Sequence, residues 1–285
     1  MAGETGRQIL AAVMSGQLSV AAGAQAFVTG AMLAQGAAAG PVGMLAPERL
    51  AGIAADGRPL ATMLYLPAIR TAQALALGAA PEVASLAGLN QMATMVGTTL
   101  SDTARTATSV AMTAEPRCRF YVRVVRLPAC ARCIILAGRQ YTYSEGFKRH
   151  PRCDCSVEPM TDREWRASKG PEDLFREMSP EEQHKRLGAA GVKALEAGAD
   201  LGQIINSRRG MATALTSRGP LRMTVEGTTR RGIGAKAMRS DLEKLAGRRY
   251  VRTTQARLMP EAIFKLAGDD REHQIAMLKK HGYIV

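Results

Sequence analysis

Four of the five cysteines in this chain lie near one another in the sequence, in two groups with metal-ligand spacing. Cys130 and Cys133 form a Cys-x-x-Cys pair, and His150, Cys153 and Cys155 form a His-x-x-Cys-x-Cys group. The pair places two thiolates on one turn, where they can share a tetrahedral ion, and the second group can supply the other ligands. Five candidates compete for four positions, so one of the second group is spare. The spacing predicts a structural metal site, with zinc as the ion.

Two other interpretations of these cysteines stay open from the residues alone. They could be reduced, half-buried thiols, or they could form disulfides in an oxidised particle. Their clustering argues against the dispersed disulfide framework of a secreted domain, and we expect neither a secretory signal nor an oxidising compartment during synthesis. Cys118 stands apart from both groups, and we interpret it as a lone reduced thiol.

The cysteine groups flank segments with the composition of short β-strands. Residues 119–127 are β-branched, aromatic and roughly alternating, which predicts a strand. Residues 139–143 are a plausible partner strand, and residues 155–158 a short third one. The two groups would therefore lie on turns of a small sheet. A metal ion there would tie together a β unit too small to be stable without it.

The N-terminal part of the chain has the patterns of helices packed through small side chains. Aromatic residues make up only 4 % of the sequence. The pattern predicts helices over residues 8–14, 20–35 and 60–77, and Pro81 fits the first turn of a helix that runs to about Thr106. Residues 8–47 carry no charge, but they are too rich in Gly, Gln and Ser for a convincing membrane span. We therefore expect no membrane partner.

The C-terminal part predicts short helices with clear start signals. Ser179 begins a capping box with a proline at the first helical position, and Asp200 caps the next segment. Residues 240–243 form a second capping box, which predicts a helix that ends at Gly247. Helices over 260–267 and 271–280 complete this part.

The net charge of +13 lies entirely in the second part of the chain. Residues 1–114 hold five basic and five acidic side chains, whereas residues 115–285 hold 33 basic and 20 acidic ones. Residues 218–239 combine six basic side chains with four glycines and little apolar periodicity, which predicts a flexible basic loop. The predicted nucleic-acid-binding residues are Arg218, Arg222, Arg230, Arg231, Lys236, Arg239, Arg248, Arg249 and Arg252.

Such a loop can bind phosphates by releasing counterions, without reading the base sequence. Tyr250 is the only aromatic residue near these arginines, so a platform that stacks single-stranded bases is disfavoured and double-stranded DNA is the better candidate. A loop that is merely solvated is the alternative.

Catalytic motifs have little support in the sequence. A zinc deaminase needs a His-x-Glu upstream of Pro-Cys-x-x-Cys, but here Pro128 is two residues before Cys130 and no histidine precedes His150. The His-Glu-x-x-His motif of zinc proteases is absent from the sequence. His184, His273 and His281 lie in charged, helix-like contexts. We therefore predict a protein that is not an enzyme.

The two cysteine groups together carry a family resemblance. The pattern from Cys130 to Gly138, followed by His150-Pro-x-Cys-x-Cys155, resembles the signature of the phage Mu F-like head morphogenesis family, the minor capsid proteins of tailed phages. Residues 181–211, which contain Asn206-Ser-Arg-Arg-Gly-Met, are similar to members from actinobacteriophages. The family often has an acidic residue about four positions before the first cysteine, where this chain has Arg126.

The resemblance implies a minor capsid protein located inside the virion and assembled in the host cytoplasm. Its partners would be the portal protein, the inner capsid and non-specifically bound double-stranded DNA, with an oligomeric state set by the portal. Two alternatives are a capsid maturation protease, a label that accompanies related phage genes, and a host zinc-ribbon protein that binds specific DNA sequences. The overall expectation is a mostly α-helical α+β fold. It has a helical neutral region (1–115), a small metal-stapled β unit (116–160) and a short-helix basic region (161–285).

Overall fold

The computed structural model describes residues 3–37, 40–147, 149–150, 153, 155–226, 242–243 and 252–284. The fold is α+β and mostly α-helical, as predicted. The helices are α1 (Glu4–Ala22), α2 (Ala24–Ala34), α3 (Leu60–Ala76), α4 (Pro81–Ala114), α5 (Ala131–Ile134), α6 (Asp162–Ala167), α7 (Pro171–Arg176), α8 (Pro180–Glu196), α9 (Leu201–Ser207), α10 (Pro260–Ala267) and α11 (Arg271–Lys280). The strands are β1 (Phe120–Val124), β2 (Gln140–Thr142), β3 (Ser156–Met160), β4 (Met211–Thr216), β5 (Gly219–Glu226), β6 (Leu242–Glu243) and β7 (Arg252–Leu258).

Contacts divide the chain into two compact units. The first comprises residues 1–127 and 138–168, and the second comprises residues 128–137 and 169–285. Most of the predicted neutral region and of the predicted β unit therefore lies in the first unit, and the predicted basic region lies mainly in the second.

In the first unit, α4 is the longest helix, and α1, α2 and α3 pack on it. It begins at Pro81 as predicted and continues past Thr106 to Ala114. Its small side chains allow close packing, because a Cβ atom at Gly88 would lie 2.1 Å from Thr71 Oγ1 of α3. Near its C-terminal end, Ala107 and Met112 pack with residues of α2, β1 and β3 in one apolar core.

Gln17 of α1 is a buried polar residue that connects three segments of the first unit. Its side chain is fully buried and donates to Ile53 O at 2.8 Å and to Thr103 Oγ1 at 3.0 Å. The side-chain amide oxygen of Gln17 accepts a hydrogen bond from Gly52 N at 2.9 Å. Buried polar groups are stable only when they are hydrogen-bonded, so these three bonds fix α1 against α4 and the 52–53 loop.

We expect Gln17→Ala to lower the free energy of unfolding by about 2 kcal/mol, because it breaks these bonds and leaves a small cavity. Denaturant unfolding measures the change. Gln8→Ala is the matched control, since Gln8 is an exposed glutamine of the same helix and its loss should change stability by less than about 0.5 kcal/mol. Equal effects of the two substitutions would contradict a structural role for Gln17.

The sheet of the first unit has the order β2-β1-β3, and both pairs are antiparallel. All three strands were predicted within a few residues of their observed bounds. Tyr121 in the central strand lies opposite Tyr141 on one side and Pro159 on the other. Gln35, just after α2, donates to Pro159 O at 2.8 Å and accepts from Thr161 N at 2.7 Å, so the sheet is attached to the N-terminal helices.

The segment Glu4–Ala34, which α1 and α2 form, is long and apolar enough to cross a membrane by length and composition. Its mean hydropathy is 1.3 over an 18-residue window, and no other helix among the described residues passes this test. Buried core helices of soluble proteins also pass it. Here Val13, Ala21, Val28 and Met32 pack in the apolar cores of the first unit. The expectation of no membrane partner stays a prediction.

In the second unit, the predicted helix starts are observed. Ser179 accepts a hydrogen bond from Glu182 N at the start of α8, and Asp200 accepts one from Gln203 N at the start of α9. The bounds of α10 and α11 are those predicted. Tyr283 is fully buried after α11, and its carbonyl oxygen accepts from Asp200 N at 2.8 Å, which connects the end of the chain to α9.

A second, four-stranded sheet with the order β4-β5-β7-β6 corrects two predictions. The prediction of a flexible loop over residues 218–239 is wrong at residues 219–226, which form the inner strand β5. A two-residue turn joins β4 to β5, and Gly219 closes it with a φ of 86°, which glycine adopts without strain. The prediction of a helix that begins at residues 240–243 is wrong at Leu242–Glu243. These two residues form the short strand β6, which pairs with β7. Residues 227–241 lie outside the described residues.

The reason for both errors is non-local pairing. β5 has no strong apolar alternation of its own, but its backbone hydrogen-bonds to β4 on one side and to β7 on the other. β7 is more than twenty residues away in the sequence, and such pairing outweighs local propensity.

Candidate metal centre

The first cysteine group lies on a short helical turn. Cys130 is the N-cap of α5, and its Sγ accepts from Cys133 N at 3.4 Å. The two Sγ atoms are 3.3 Å apart. Cys133 is 3 % exposed, whereas Cys130 is partly exposed. The Cys-x-x-Cys spacing thus produces the sulfur pair that the sequence predicted.

The second cysteine group lies immediately before β3, and both of its thiols are buried. Cys153 is 4 % exposed and Cys155 is 3 % exposed. The backbone of this turn is held by Arg105 of α4, whose Nε donates to Cys155 O at 2.7 Å and whose terminal nitrogen donates to Cys153 O. Arg105 also forms an ion pair with Asp102 at 2.8 Å. One helical arginine therefore fixes both cysteine backbones.

A second arginine lies against the sulfur atoms themselves. Arg123 of β1 is 2 % exposed, and its terminal nitrogen is 3.6 Å from Cys153 Sγ and 3.5 Å from Cys155 Sγ. Its guanidinium lies over the ring of Phe147 at 4.4 Å. Neither Arg105 nor Arg123 was among the residues that the sequence predicted for the site. The available signal for Arg123 was a charged residue in the middle of an otherwise apolar strand.

The five predicted ligands are divided between the two units. Cys130 and Cys133 lie in the second unit, with their sulfur atoms 3.3 Å apart, whereas His150, Cys153 and Cys155 lie in the first. His150 is exposed, and both cysteines of the first unit are buried. Cysteine and histidine side chains can hold a metal ion, and thiolate with imidazole donors is a set that zinc prefers. None of the cysteines forms a disulfide, so the disulfide interpretation does not describe this structure.

Aromatic rings support the loop that leads to His150. Tyr121 stacks on Tyr141 with ring centroids 5.3 Å apart, and Phe147 packs on both rings. The Tyr121 hydroxyl donates to Glu145 O, which ties the loop to β1. Burial, with a smaller effect from Tyr141, raises the pKa of Tyr121 to about 12, so the hydroxyl remains a donor at neutral pH.

Cys118 is separate from this cluster, in agreement with its interpretation as a lone reduced thiol. It is 2 % exposed and packs in the core with Met112 and Tyr121. Burial, together with the nearby Glu115, raises the pKa of the Cys118 thiol to about 11. The thiol is therefore protonated and unreactive at neutral pH.

Three of the predicted nucleic-acid-binding residues lie on or beside the second sheet. Arg218 is in the β4–β5 turn, Arg222 is in β5 and Arg252 is in β7, and all three are exposed. The remaining six lie outside the described residues: Arg230, Arg231, Lys236, Arg239, Arg248 and Arg249.

The model of the VG15 protein family matches residues 19–180, which is more than half of the chain and includes both cysteine groups. The chain belongs to the VG15 protein family. This is a family of viral gene products, and membership indicates a phage-encoded protein. No curated protein and no solved structure gave a significant match. The matched VG15 region ends at the start of α8, so the basic second sheet lies beyond it.

Proposed function

We propose that this VG15 family protein is a minor capsid, or head morphogenesis, protein of a tailed phage. It acts as an adaptor without catalytic activity. Its neutral helical part attaches to the portal or the inner capsid wall, and its basic part binds packaged double-stranded DNA without sequence preference. The family membership supports a phage origin, and the Mu F-like pattern of the cysteine groups supports the head role.

The observation that carries this proposal is an exposed apolar surface on α3 and α4, here called the hairpin surface. Its large side chains are between 39 % and 87 % exposed. The hairpin surface consists of Tyr65, Ile69, Leu75, Leu77, Val83, Leu86 and Leu89. Arg70 and Glu82 are the only charged residues between positions 60 and 101. Several large apolar side chains exposed on two packed helices with so little charge are typical of a protein-binding site.

The basic residues supply the second contact of the adaptor. Arg218, Arg222 and Arg252 are exposed on or beside the second sheet, and the other six predicted residues are in the same part of the sequence. Arginine donates to phosphate oxygens and stays charged at every physiological pH. This arrangement supports binding through phosphates rather than through base edges.

The metal is proposed to have a structural role. Four of the five predicted ligands, Cys130, Cys133, His150, Cys153 and Cys155, would hold a zinc ion, as their spacing in the sequence predicts. A bound ion would supply strong bonds among turns that otherwise depend on a three-stranded sheet. In this proposal the ion stabilises the fold and activates no substrate.

The test of the head role is Leu86→Glu combined with Leu89→Glu. Both side chains are exposed, so the fold should be retained, whereas two charges in the hairpin surface should abolish attachment to a protein partner. We expect the variant to be missing from procapsids that are assembled with their portal, as measured by the protein content of purified particles. Thr106→Glu with Thr113→Glu is the matched control, because both threonines are exposed on the same helix away from the hairpin surface.

Normal incorporation of the Leu86 and Leu89 variant would contradict the docking role of the hairpin surface. Capsid protein cleavage that is abolished by alanine at a single serine or histidine, with the fold intact, would replace the adaptor proposal with the maturation protease.

A further inference from the structure

We propose that Arg123 is a positioning residue of the cysteine site, and that its guanidinium orients the sulfur atoms of Cys153 and Cys155. This inference rests on the metal site proposed above, but not on the head role. It concerns contacts inside the first unit alone, between β1 and the turn that precedes β3.

Arg123 is buried against the sulfur atoms of the second cysteine group. A guanidinium that is 2 % exposed loses nearly all of its hydration, so the groups around it determine where it lies. The ring face of Phe147, 4.4 Å away, is one of these groups. The sulfur atoms of Cys153 and Cys155 lie 3.6 and 3.5 Å from one terminal nitrogen of Arg123, within hydrogen-bond distance for sulfur. One rigid, planar group therefore contacts both side chains and can hold them in a fixed orientation.

A metal site rich in cysteine needs hydrogen-bond donors around its ligands. Groups that hydrogen-bond to metal ligands orient them and tune the site, and their removal costs about 10–100-fold in metal affinity. Arg123 is placed to do this for two sulfurs at once.

Arg105 and Arg123 contact different parts of the two cysteines. Arg105 donates to the carbonyl oxygens of Cys153 and Cys155, which fixes their backbone, whereas Arg123 contacts their sulfur atoms. Their elements differ as well, since Arg105 is on α4 and Arg123 is on β1. Cys153 and Cys155 are thus held by two elements of the first unit. Ligands that the protein holds in place bind a metal with a smaller loss of entropy.

The test compares zinc affinity in Arg123→Met, Arg123→Lys and the wild-type chain, by competition with a chromogenic chelator. We expect Arg123→Met to bind zinc about 10–100-fold more weakly. Arg123→Lys should recover part of the loss, because lysine restores the charge without the planar donor fork. Arg126→Met is the matched control: Arg126 is an exposed arginine that follows the same strand, and its loss should leave zinc affinity unchanged. With cobalt as the probe, Arg123→Met should also shift the sulfur-to-cobalt charge-transfer absorption.

A merely structural Arg123 would give a different set of results. It would lower the melting temperature equally with zinc and with excess chelator, and zinc affinity would be unchanged. That outcome overturns the inference, and so does wild-type protein that binds no zinc. A fall in zinc affinity for Arg123→Met that Arg123→Lys recovers in part, with Arg126→Met unchanged, supports it. Failure of the head role would instead appear as lost particle incorporation with zinc affinity intact, so the two failures are distinguishable.

Discussion

Replacing Cys130 and Cys133 together with serine is expected to abolish stoichiometric metal binding and to lower the melting temperature by about 10 °C. The variant removes two of at most four ligands, and both lie on one short helical turn with their sulfur atoms 3.3 Å apart. Structural zinc contributes about 10–16 kcal/mol to the free energy of folding of small zinc-finger peptides. We expect a contribution of about 3–5 kcal/mol here, because the sheet also packs on helices. A change of 1 kcal/mol corresponds to about 2–4 °C in a chain of this size. Elemental analysis and thermal unfolding measure the two effects.

Cys118→Ser is the control for this prediction, because Cys118 is a buried cysteine outside both ligand groups. This substitution should lower the free energy of unfolding by about 1 kcal/mol, because it buries a hydroxyl group, and it should leave the metal content unchanged. Chelator should lower the stability of the wild type and of Cys118→Ser, but not that of the double variant. Fresh wild-type protein without a stoichiometric cation would refute the metal centre.

Affinity for random duplex DNA is expected to fall by about a thousandfold to a hundred-thousandfold when salt rises from about 50 to about 200 mM. The nine predicted residues can each contact a phosphate, and every such contact releases a counterion. Substituting Arg218, Arg222 and Arg252 with glutamine should reduce the slope of log affinity against log salt by about 3 units, with the same loss on unrelated sequences. Fluorescence anisotropy over a salt series measures both quantities.

The matched control for DNA binding removes the same charge from another place. Lys265, Lys279 and Lys280 are exposed residues of α10 and α11, and their replacement with glutamine also lowers the net charge by three. If both triple variants change the slope equally, net charge rather than a particular surface drives binding. A salt-independent affinity would exclude counterion release as the mechanism.

The local signals in the sequence located most helices. Pro81, Ser179 and Asp200 each begin a helix that the structure contains, because a cap depends on only the first turn of its own helix. The strand β1 was also predictable from its β-branched and aromatic residues. In contrast, β4 and β7 were missed, since each becomes a strand through pairing with β5 rather than through its own composition.

The candidate site shows the same division between local and long-range information. The Cys-x-x-Cys spacing predicts a sulfur pair, and the pair is present with 3.3 Å between its sulfur atoms. The arginines that surround Cys153 and Cys155 were not predictable from spacing. Arg105 is about fifty residues from these cysteines and Arg123 about thirty, and only packing of α4 and β1 around the same turn brings them there.

By itself, the sequence determined the spacing of the two cysteine groups, the helix starts and the separation of a neutral from a basic part, because these depend on residue identity and short spacing. The tertiary structure alone decided that a basic segment becomes the inner strand of a second sheet, and that the buried Arg123 and the partly buried Arg105 lie against one pair of cysteines. Both outcomes depend on free energy that is gained only when distant segments pack together. A short stretch of sequence does not determine that free energy.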